Sequence, residues 1–299
     1  MGLGLNNEPG VEAGTRPMLV TGAAGQLGQV AAVALARRWP VVALTREGLD
    51  VTDAAAVRRV VDAHRPAAIV NCVGFNEVDR AEDEAALALE VNALAVRTLA
   101  RAAADAGAAL VHYSSDFVFD GETDRPYRED DRPQPRSVYA ASKLLGEWFA
   151  ADAPRHYVLR VESLFGGLGK RTSSFDKIVD LVAAGGPVKV FTDRVVSPSY
   201  VWDVAEATAH LLATEAAPGV YHCVSSGAAT WYEVAETVAR RLGVAATLEP
   251  IRLADLTLPA ARPRYCALAN DKLAAAGMVM PTWQDALDRY LASRDDAAN

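Results

Sequence analysis

Short apolar runs alternate with helical stretches through the first half of the chain, and this alternation constrains the fold more than any other feature. The runs are Met18–Thr21, Val41–Thr45, Ala67–Cys72, Ala108–Tyr113 and Tyr157–Val161. The helical stretches after the first three runs are Gln26–Trp39, Ala54–His64 and a long one from about Glu82 to Ala106. Apolar runs this short, placed between helices, are typical of parallel strands buried on both faces. The pattern predicts an α/β fold with a doubly wound parallel sheet of the Rossmann type.

The second half has a looser rhythm and predicts a smaller C-terminal substrate-binding lobe. Its predicted helices are Phe175–Ala184, Val201–Ala213, Trp231–Leu242 and one near Trp283–Leu291, and its predicted strands are Val188–Phe191 and Val220–Val224. Prolines interrupt Leu248 to Asn270, which we expect to be mostly irregular. The expected division is a disordered tail at 1–16, a dinucleotide-binding domain at 17–161, and a mainly substrate-binding lobe at 162–299, with about 188–224 returning to the Rossmann domain.

The composition argues against several classes of protein. A hydrophobic content of 51% in 299 residues supports a sizeable core, and a net charge of −8 disfavours a nucleic-acid partner, which needs clustered Lys and Arg. No apolar run is long enough for a membrane span and no signal-peptide pattern opens the chain, so we expect no membrane partner. Three cysteines without a Cys-x-x-Cys pair favour a cytoplasmic location. Five dispersed histidines lead us to expect no metal site.

A glycine-rich turn follows the first apolar run and opens the first helix. Its sequence is Gly22-Ala23-Ala24-Gly25-Gln26-Leu27-Gly28, a Gly-x-x-Gly-x-x-Gly spacing. In this context the first glycine permits a tight turn, the second lets the backbone approach a pyrophosphate, and the third lets helix and strand pack closely. The turn, including Gln26 and Leu27, is therefore a candidate dinucleotide site with the pyrophosphate at the helix N-terminus.

The end of the second run bears on the choice between the two nicotinamide cofactors. An acidic residue there binds ribose hydroxyls, whereas an arginine accommodates a 2′-phosphate. Thr45-Arg46 occupies this place, so we predict NADPH, with NADH as the alternative, because Arg46 is equally explained as a solvated charge or an ion-pair partner. Asp50 and Val51 are candidates to flank the adenine, and Asp53 is a candidate for that role or for the N-cap of the next helix.

Tyr139 and Lys143 form a Tyr-x-x-x-Lys pair that follows the strand-like run ending at Ser115. Residues four apart share one face of a helix, so the phenol and the ammonium can point into one cleft. A nearby cation lowers the pKa of a tyrosine, and we therefore expect Lys143 to make Tyr139 a workable general acid. Combined with the glycine turn, the pair predicts hydride transfer.

The ordered set of motifs resembles the dTDP-4-dehydrorhamnose reductase family of extended short-chain dehydrogenases over about residues 17–292. Besides the glycine turn, the motifs are Val70-Asn71-Cys72-Val73-Gly74, Val78-Asp79-Arg80-Ala81-Glu82, Ser114 to Gly121, Pro126 to Asp131, Tyr139 to Lys143 and Arg262-Pro263. The resemblance implies reduction of the 4-keto group of a nucleotide-linked deoxysugar by NAD(P)H. The expected partners are that nucleotide-sugar substrate and, in a homodimer, a second copy of the chain.

The resemblance also implies roles for individual residues. Ser115 would hydrogen-bond the substrate carbonyl, Tyr139 would protonate the developing alkoxide, and Lys143 would hold the nicotinamide ribose. Cys72, Val73 and Gly74 would line the nicotinamide side. The candidate substrate-binding residues are Val78, Ser115, Phe117, Ser163 and Arg262. Of these, Arg262 is the candidate for the diphosphate, because a guanidinium binds phosphate oxygens bidentately.

Several positions near the expected sugar pocket depart from the family pattern. Phe117 stands where the family usually has a tyrosine, and Glu162-Ser163 stands where an aromatic residue is common. Asn76 and Ala140 replace a usual threonine and glycine. These departures predict a related sugar, or poor use of dTDP-4-dehydrorhamnose itself. Two alternatives remain open: an epimerase or dehydratase of the same fold, and a non-catalytic subunit resembling the regulatory subunit of methionine adenosyltransferase.

Overall fold

The structure, a computed structural model, describes residues 16–169 and 173–296. Its strands are β1 Met18–Thr21, β2 Val41–Leu44, β3 Ala68–Asn71, β4 Ala109–Ser115, β5 His156–Val161, β6 Leu164–Phe165, β7 Pro187–Phe191, β8 Val195–Val196, β9 Ser199–Tyr200, β10 Gly219–His222, β11 Ala229–Thr230 and β12 Thr247–Ile251. Its α-helices are α1 Gln26–Ala36, α2 Ala54–His64, α3 Arg80–Asp83, α4 Ala85–Leu89, α5 Ala95–Asp105, α6 Val138–Ala150, α7 Ser174–Ala183, α8 Val201–Ala213, α9 Trp231–Leu242, α10 Asp271–Ala275 and α11 Trp283–Asp296.

A six-stranded parallel sheet with the order β10-β5-β4-β3-β1-β2 forms the centre of the molecule. Successive residues of a strand face opposite sides of a sheet, and both sides are apolar here. Val20 packs into a core shared with α1 and α8, whereas Leu19 packs into a core shared with α2 and α5. This arrangement confirms the predicted doubly wound α/β fold.

A second core lies outside the large sheet and is formed mainly by α7, α9 and α11. The predicted strand Val188–Phe191 forms as β7, but it pairs in parallel with β12 and does not join the large sheet, because Val188 and Val190 pack into this second core. In contrast, α8 and β10 pack on or join the large sheet. The expectation that Leu248 to Asn270 is mostly irregular missed β12, where Pro250 is tolerated in a two-stranded pair with free edges.

The predicted long helix from Glu82 to Ala106 is wrong as one element. Glu84 leaves the helical conformation at φ −111° and ψ 44°, and a π-helical turn at Glu90–Leu94 separates α4 from α5. The side chain of Asn92 lies in that turn, where it accepts from the Phe75 backbone N–H at 2.8 Å and donates to the Phe75 carbonyl at 3.0 Å. The widened turn thus places a polar side chain against the loop after β3, which carries site residues.

Arg16 is the first residue that the structure describes. Residues 1–15 of the predicted tail lie outside the described residues, but Arg16 is tied to the fold, with hydrogen bonds of 2.7 Å to the carbonyls of Pro66 and Ala106. Among the residues that the structure describes, no helix combines the length and apolar character needed to cross a bilayer.

Candidate active site

A cleft of about 1110 Å³ opens at the carboxyl ends of the parallel strands. Its walls come from the β1–α1 turn, the ends of β2, β3, β4 and β5, helix α6 and the second lobe. All the predicted site residues line it except Gly28 and Lys143, which lie just behind its surface. The sequence therefore identified residues that the fold brings into one cleft, at the position where open α/β sheets bind ligands.

The glycine turn has the geometry of a dinucleotide site. Gly22 adopts φ +69°, and a Cβ there would lie 2.9 Å from the carbonyl carbon of Cys72. A Cβ on Gly28 would lie 2.2 Å from the Gly22 carbonyl oxygen, so a side chain at Gly28 would push the helix away from the turn. No side chain caps α1 at its N-cap Gly25, which leaves the positive end of the helix facing the cleft. The Gln26 amide donates to the Gly166 carbonyl at 2.8 Å and so links the turn to the segment after β6.

The cofactor-discriminating segment after β2 carries an exposed cation. The side chain of Arg46 is 89% exposed and lies 3.7 Å from the Asp50 carboxylate. Asp50 accepts from the Thr52 hydroxyl and backbone N–H, and these hydrogen bonds lower its pKa, with a smaller contribution from Arg46. The Asp53 carboxylate accepts from Ala55 N–H at 2.9 Å and Ala56 N–H at 3.0 Å, so Asp53 is the N-cap of α2.

The loop after β3 forms the wall predicted to face the nicotinamide. Cys72, Val73 and Gly74 all line the cleft. Burial raises the pKa of the Cys72 thiol to about 12, so this side chain is neutral at physiological pH. The backbone N–H of Val73 donates to the Asn71 side chain at 3.2 Å, which holds the loop against the end of the sheet.

Tyr139 and Lys143 lie on the buried face of α6, as the four-residue spacing predicts. The Lys143 ammonium donates to the Tyr113 carbonyl at 2.5 Å, and burial lowers the pKa of Lys143 to about 8. Burial raises the pKa of Tyr139 above its usual value, the Ser115 hydroxyl opposes this rise and the Asp116 carboxyl adds to it. The expectation that Lys143 lowers the pKa of Tyr139 is not met, because burial of the phenol dominates its pKa and the Lys143 ammonium donates to the Tyr113 carbonyl. The phenol is consequently protonated at neutral pH, as a proton donor must be.

The two serines at the end of β4 have different partners. The Ser115 hydroxyl donates to Asp116 Oδ1 at 2.8 Å and accepts from the Phe117 backbone N–H at 3.2 Å. Ser114 donates to Glu147 Oε1 at 2.6 Å. Ser115 is therefore the hydroxyl that acts on Tyr139, whereas the proton of Ser114 is already donated to Glu147.

A buried ion pair behind the site was missed by the sequence reasoning. Glu147 accepts from Arg160 Nε at 2.9 Å and from Arg160 Nη2 at 2.7 Å, and both side chains are almost fully buried. The negative charge of Glu147 favours the charged form of Lys143, one helical turn away. The available signal was the spacing of Tyr139, Lys143 and Glu147, which places all three on one face of α6.

The expected sugar wall contains an aromatic contact and an unusual backbone. The Phe117 ring meets the Tyr139 ring edge-on, with centroids 5.5 Å apart, and the Arg194 guanidinium lies 5.5 Å from the Phe117 ring centroid. Ser163 has φ +43°, a left-handed conformation that few residues other than glycine adopt. Val78 lines the cleft and packs against the small cluster that contains Tyr139.

Arg262 lines the cleft, but its guanidinium already has a carboxylate partner. Nη1 and Nη2 donate to Asp79 at 2.8 and 2.7 Å, and Nη1 also donates to the Ala260 carbonyl at 2.9 Å. These hydrogen bonds lower the pKa of Asp79. The pair joins the loop after β3 to the C-terminal segment. The sequence suggested Arg262 for phosphate binding but gave no indication of this pairing.

A second group of charged residues behind Ser115 was also missed. Asp116, Glu162 and Cys266 each place one ligand-type atom within 4.8 Å of the others, and all three side chains are buried. The Arg194 guanidinium belongs to the same cluster, with Nη2 3.9 Å from the Cys266 sulfur. The positive charge of Arg194 opposes the rise in pKa of both carboxyl groups. In the sequence, Glu162 signals only a departure from the family pattern, and Arg194 stands in a loop without a recognisable motif.

Comparisons with known proteins agree with this geometry. The family described as RmlD substrate binding domain matches residues 16–295. The chain belongs to this family. It is 40% identical to a dTDP-4-dehydrorhamnose reductase from Streptomyces griseus, over 90% of this chain and 91% of that protein. It is 37% identical to a dTDP-4-keto-6-deoxy-D-glucose reductase from Streptomyces niveus, over 90% of this chain and 94% of that protein.

A solved structure extends the likeness to three dimensions. The dTDP-4-dehydrorhamnose reductase of Bacillus anthracis, solved in complex with NADP, superposes with a TM-score of 0.88 at 30% identity, over 93% of this chain and 99% of that one. Membership of the RmlD substrate binding domain family confirms the resemblance drawn from the motifs. The relatives act on differently named sugars, so family membership alone does not identify the sugar.

Proposed function

We propose that this chain reduces the 4-keto group of a nucleotide-linked deoxysugar with NADPH. The observation that carries the proposal is the convergence of Ser115, Tyr139 and the glycine turn on one cleft. The names of the relatives support the same reaction, since they are reductases of dTDP-linked keto sugars. The alternatives are an epimerase or dehydratase of the same fold and a non-catalytic regulatory subunit, and no contact among the described residues of the cleft favours either of them.

The residues have distinct roles in this proposal. NADPH, when bound, supplies the hydride for the ketone carbon. Ser115 donates a hydrogen bond to the ketone oxygen, and Tyr139 gives its phenolic proton to the oxygen as negative charge develops there. The rise in the pKa of Tyr139 keeps the phenol protonated before the proton is transferred to the ketone oxygen. Lys143 holds the nicotinamide ribose and the backbone at Tyr113, and Glu147 keeps Lys143 charged.

The cofactor preference rests on Arg46. Its exposed guanidinium is available to a 2′-phosphate, because its 3.7 Å contact with Asp50 is an exposed ion pair, and such pairs contribute little to stability. The Gly22–Gly28 turn and the uncapped end of α1 suit the pyrophosphate, since the missing side chains leave room for it. The Bacillus anthracis relative, which was solved with NADP, supports this choice.

The chain divides into a cofactor-binding part and a substrate-binding part. A cofactor domain at 17–161 and a mainly substrate-binding lobe at 162–299 are supported by the separate core around α7, α9 and α11, and α8 and β10 are the parts of 188–224 that return to the large sheet. Free thiols at all three cysteines support a reducing cytoplasmic setting.

Homodimer formation is supported by two exposed apolar side chains on helical segments that pack against each other. Leu94 is 50% exposed and Trp148 is 64% exposed. Sedimentation of Trp148→Glu beside the wild type tests the dimer.

The experiment that tests the function is turnover with a panel of 4-keto sugar nucleotides. The purified chain is mixed with NADPH and with each dTDP-linked 4-keto-6-deoxyhexose epimer, and NADPH oxidation is followed. We expect turnover of at least one epimer, with dTDP-4-dehydrorhamnose used poorly. A kcat/KM above about 10⁴ M⁻¹s⁻¹ on dTDP-4-dehydrorhamnose would show that the departures at Phe117 and Ser163 do not matter. No turnover of any member would refute the reductase function.

A further inference from the structure

The cluster behind Ser115 is neutral only if its two carboxyl groups together hold one proton. Asp116 and Glu162 are 3% and 2% exposed, and Arg194 is the guanidinium beside them. With both carboxyls ionised, the cluster would carry a net negative charge away from water, which is costly. One proton on the pair leaves one carboxylate to balance Arg194. Asp116 Oδ2 is fully buried and has no hydrogen-bond partner among the described residues, which makes a full negative charge on Asp116 more costly still.

The protonation of Asp116 decides what Ser115 can do. A serine hydroxyl has one proton to donate, and Ser115 donates it to Asp116 Oδ1 at 2.8 Å. While that bond persists, Ser115 has no proton for a ketone oxygen. If Asp116 is the protonated member, the same contact reverses: Oδ1 donates to Ser115 Oγ, and the serine proton is released toward the cleft, which Ser115 lines.

We propose that Asp116 and Glu162 share one proton, and that this proton frees the Ser115 hydroxyl to donate a hydrogen bond to the substrate ketone. Glu162 is then a positioning residue that acts through Asp116 and Ser115 and does not touch the substrate itself. The backbone N–H of Ser197 and the hydroxyl of Ser163 donate to Glu162 and fix its carboxyl group in the cluster. The inference rests on the proposed ketoreductase function and adds a residue to it.

The electrostatics of the cluster support one shared proton. The larger rise in pKa is that of Glu162, but Glu162 accepts two hydrogen bonds and Asp116 Oδ2 accepts none among the described residues, and this geometry favours Asp116 as the holder of the proton. Burial raises the pKa of Asp116, and burial together with the Asp116 charge raises the pKa of Glu162 well above its usual value, while Arg194 opposes both rises. Burial also raises the pKa of Cys266, so its thiol adds no charge. The titratable and charged groups that act on the pair from surrounding elements are Tyr139, Arg194, Tyr265 and Cys266.

The shared proton is tested without any turnover. Infrared difference spectra of the full chain at neutral pH compare the wild type with Glu162→Gln and with the control Cys266→Ala, which alters the same cluster but keeps both carboxyls. We expect one protonated-carboxyl band in the wild type and in the control, and its loss in Glu162→Gln, because Asp116 alone is ionised beside Arg194. A spectrum without this difference would overturn the proposal, whether or not the chain is a reductase.

The action through Ser115 is tested by a double-mutant cycle. Glu162→Gln is expected to lower kcat about tenfold to a hundredfold at neutral pH, and to cost nothing further in a Ser115→Ala background. Equal losses in both backgrounds would mean a merely structural role. The activity of Glu162→Gln should recover as the pH falls toward about 4, where a lone aspartate regains its proton.

Arg194→Gln supplies an independent test, because it should favour protonation of the carboxyl pair, whereas Glu162→Gln should abolish it. Removing the cation favours the protonated pair, so the loss of kcat/KM at high pH should move upward by about one pH unit or more. Lys143 contributes its own loss of charge near its pKa of about 8, and this component should not move between variants. NADPH titration checks that each variant is folded. If Glu162→Gln fails that check, an unmoved profile in Arg194→Gln is sufficient to refute the proposal.

Discussion

The cofactor end of the cleft is formed mainly by backbone, whereas the sugar end is formed mainly by side chains. The cofactor end comprises the Gly22–Gly28 turn, Arg46–Val51 and Cys72–Gly74, three short segments that follow consecutive strands β1, β2 and β3. Its shape depends mainly on backbone, as at Gly28, where a Cβ would lie 2.2 Å from the Gly22 carbonyl oxygen. The sugar end consists instead of side chains from separate parts of the chain: Phe117, Glu162, Arg194 and Arg262.

The difference affects how freely each end can change. A backbone cradle suits the pyrophosphate that nicotinamide dinucleotides share, and a side chain added at Gly22 or Gly28 would collide with neighbouring backbone. A pocket made of side chains changes its preference with single substitutions, because each buried polar group must find a partner. Phe117 and Glu162, the positions at which the sequence analysis predicts departures from the family pattern, both lie at the sugar end of the cleft.

The largest expected effect lies where the two ends meet, at Tyr139. Tyr139→Phe removes the proton donor but keeps the ring that packs edge-on against Phe117. We expect kcat to fall by about 10²–10⁴, with NADPH affinity close to that of the wild type, because the lost group acts in the transition state. Stopped-flow turnover and fluorescence titration measure the two quantities. Near-wild-type turnover would mean that another residue is the acid.

A change confined to the cofactor end should leave the sugar end unaffected. Arg46→Ala is expected to weaken NADPH binding about tenfold to a hundredfold, since a charge-assisted contact with the 2′-phosphate is lost. NADH affinity and the KM for the sugar nucleotide should be unchanged. Calorimetric titration with both cofactors decides the matter, with Arg38→Ala as a control for general loss of surface charge. Equal affinity of the wild type for NADPH and NADH would contradict the assignment of Arg46.

The same contrast explains what the sequence could predict. The parallel sheet and the glycine turn were predictable, because their signals lie within a few neighbouring residues and arise from backbone geometry. The pairing of Arg262 with Asp79 was not, because 183 residues separate the partners. The direction of the Tyr139 pKa shift depends on burial, which is a property of the folded chain. The π-helical turn within the predicted long helix places Asn92 against Phe75, a contact that periodicity cannot reveal.

An intermediate effect on the KM for the sugar nucleotide is expected at Arg262, where a role in diphosphate binding and a role in joining two segments predict different results. If Arg262 binds the substrate diphosphate, Asp79 competes for it, so Arg262→Gln should raise the KM for the sugar nucleotide about tenfold and Asp79→Asn should lower it. If the pair only joins the two segments, both variants should raise KM and lower the thermal midpoint together. Steady-state kinetics and thermal unfolding of the two variants distinguish these readings.

The smallest expected effect tests the sugar end by itself. Phe117→Tyr restores the hydroxyl that the family usually has, close to Tyr139 and Arg194. A neutral hydrogen bond contributes about 0.5–1.5 kcal/mol, so we expect the kcat/KM ratio between sugar epimers to shift by about twofold to tenfold toward dTDP-4-dehydrorhamnose. Phe117→Leu is the matched control, because it alters the ring without adding a hydroxyl. An unchanged epimer ratio in Phe117→Tyr would mean that neighbouring side chains already supply the missing contact, and that the ends of the cleft differ less than their construction implies.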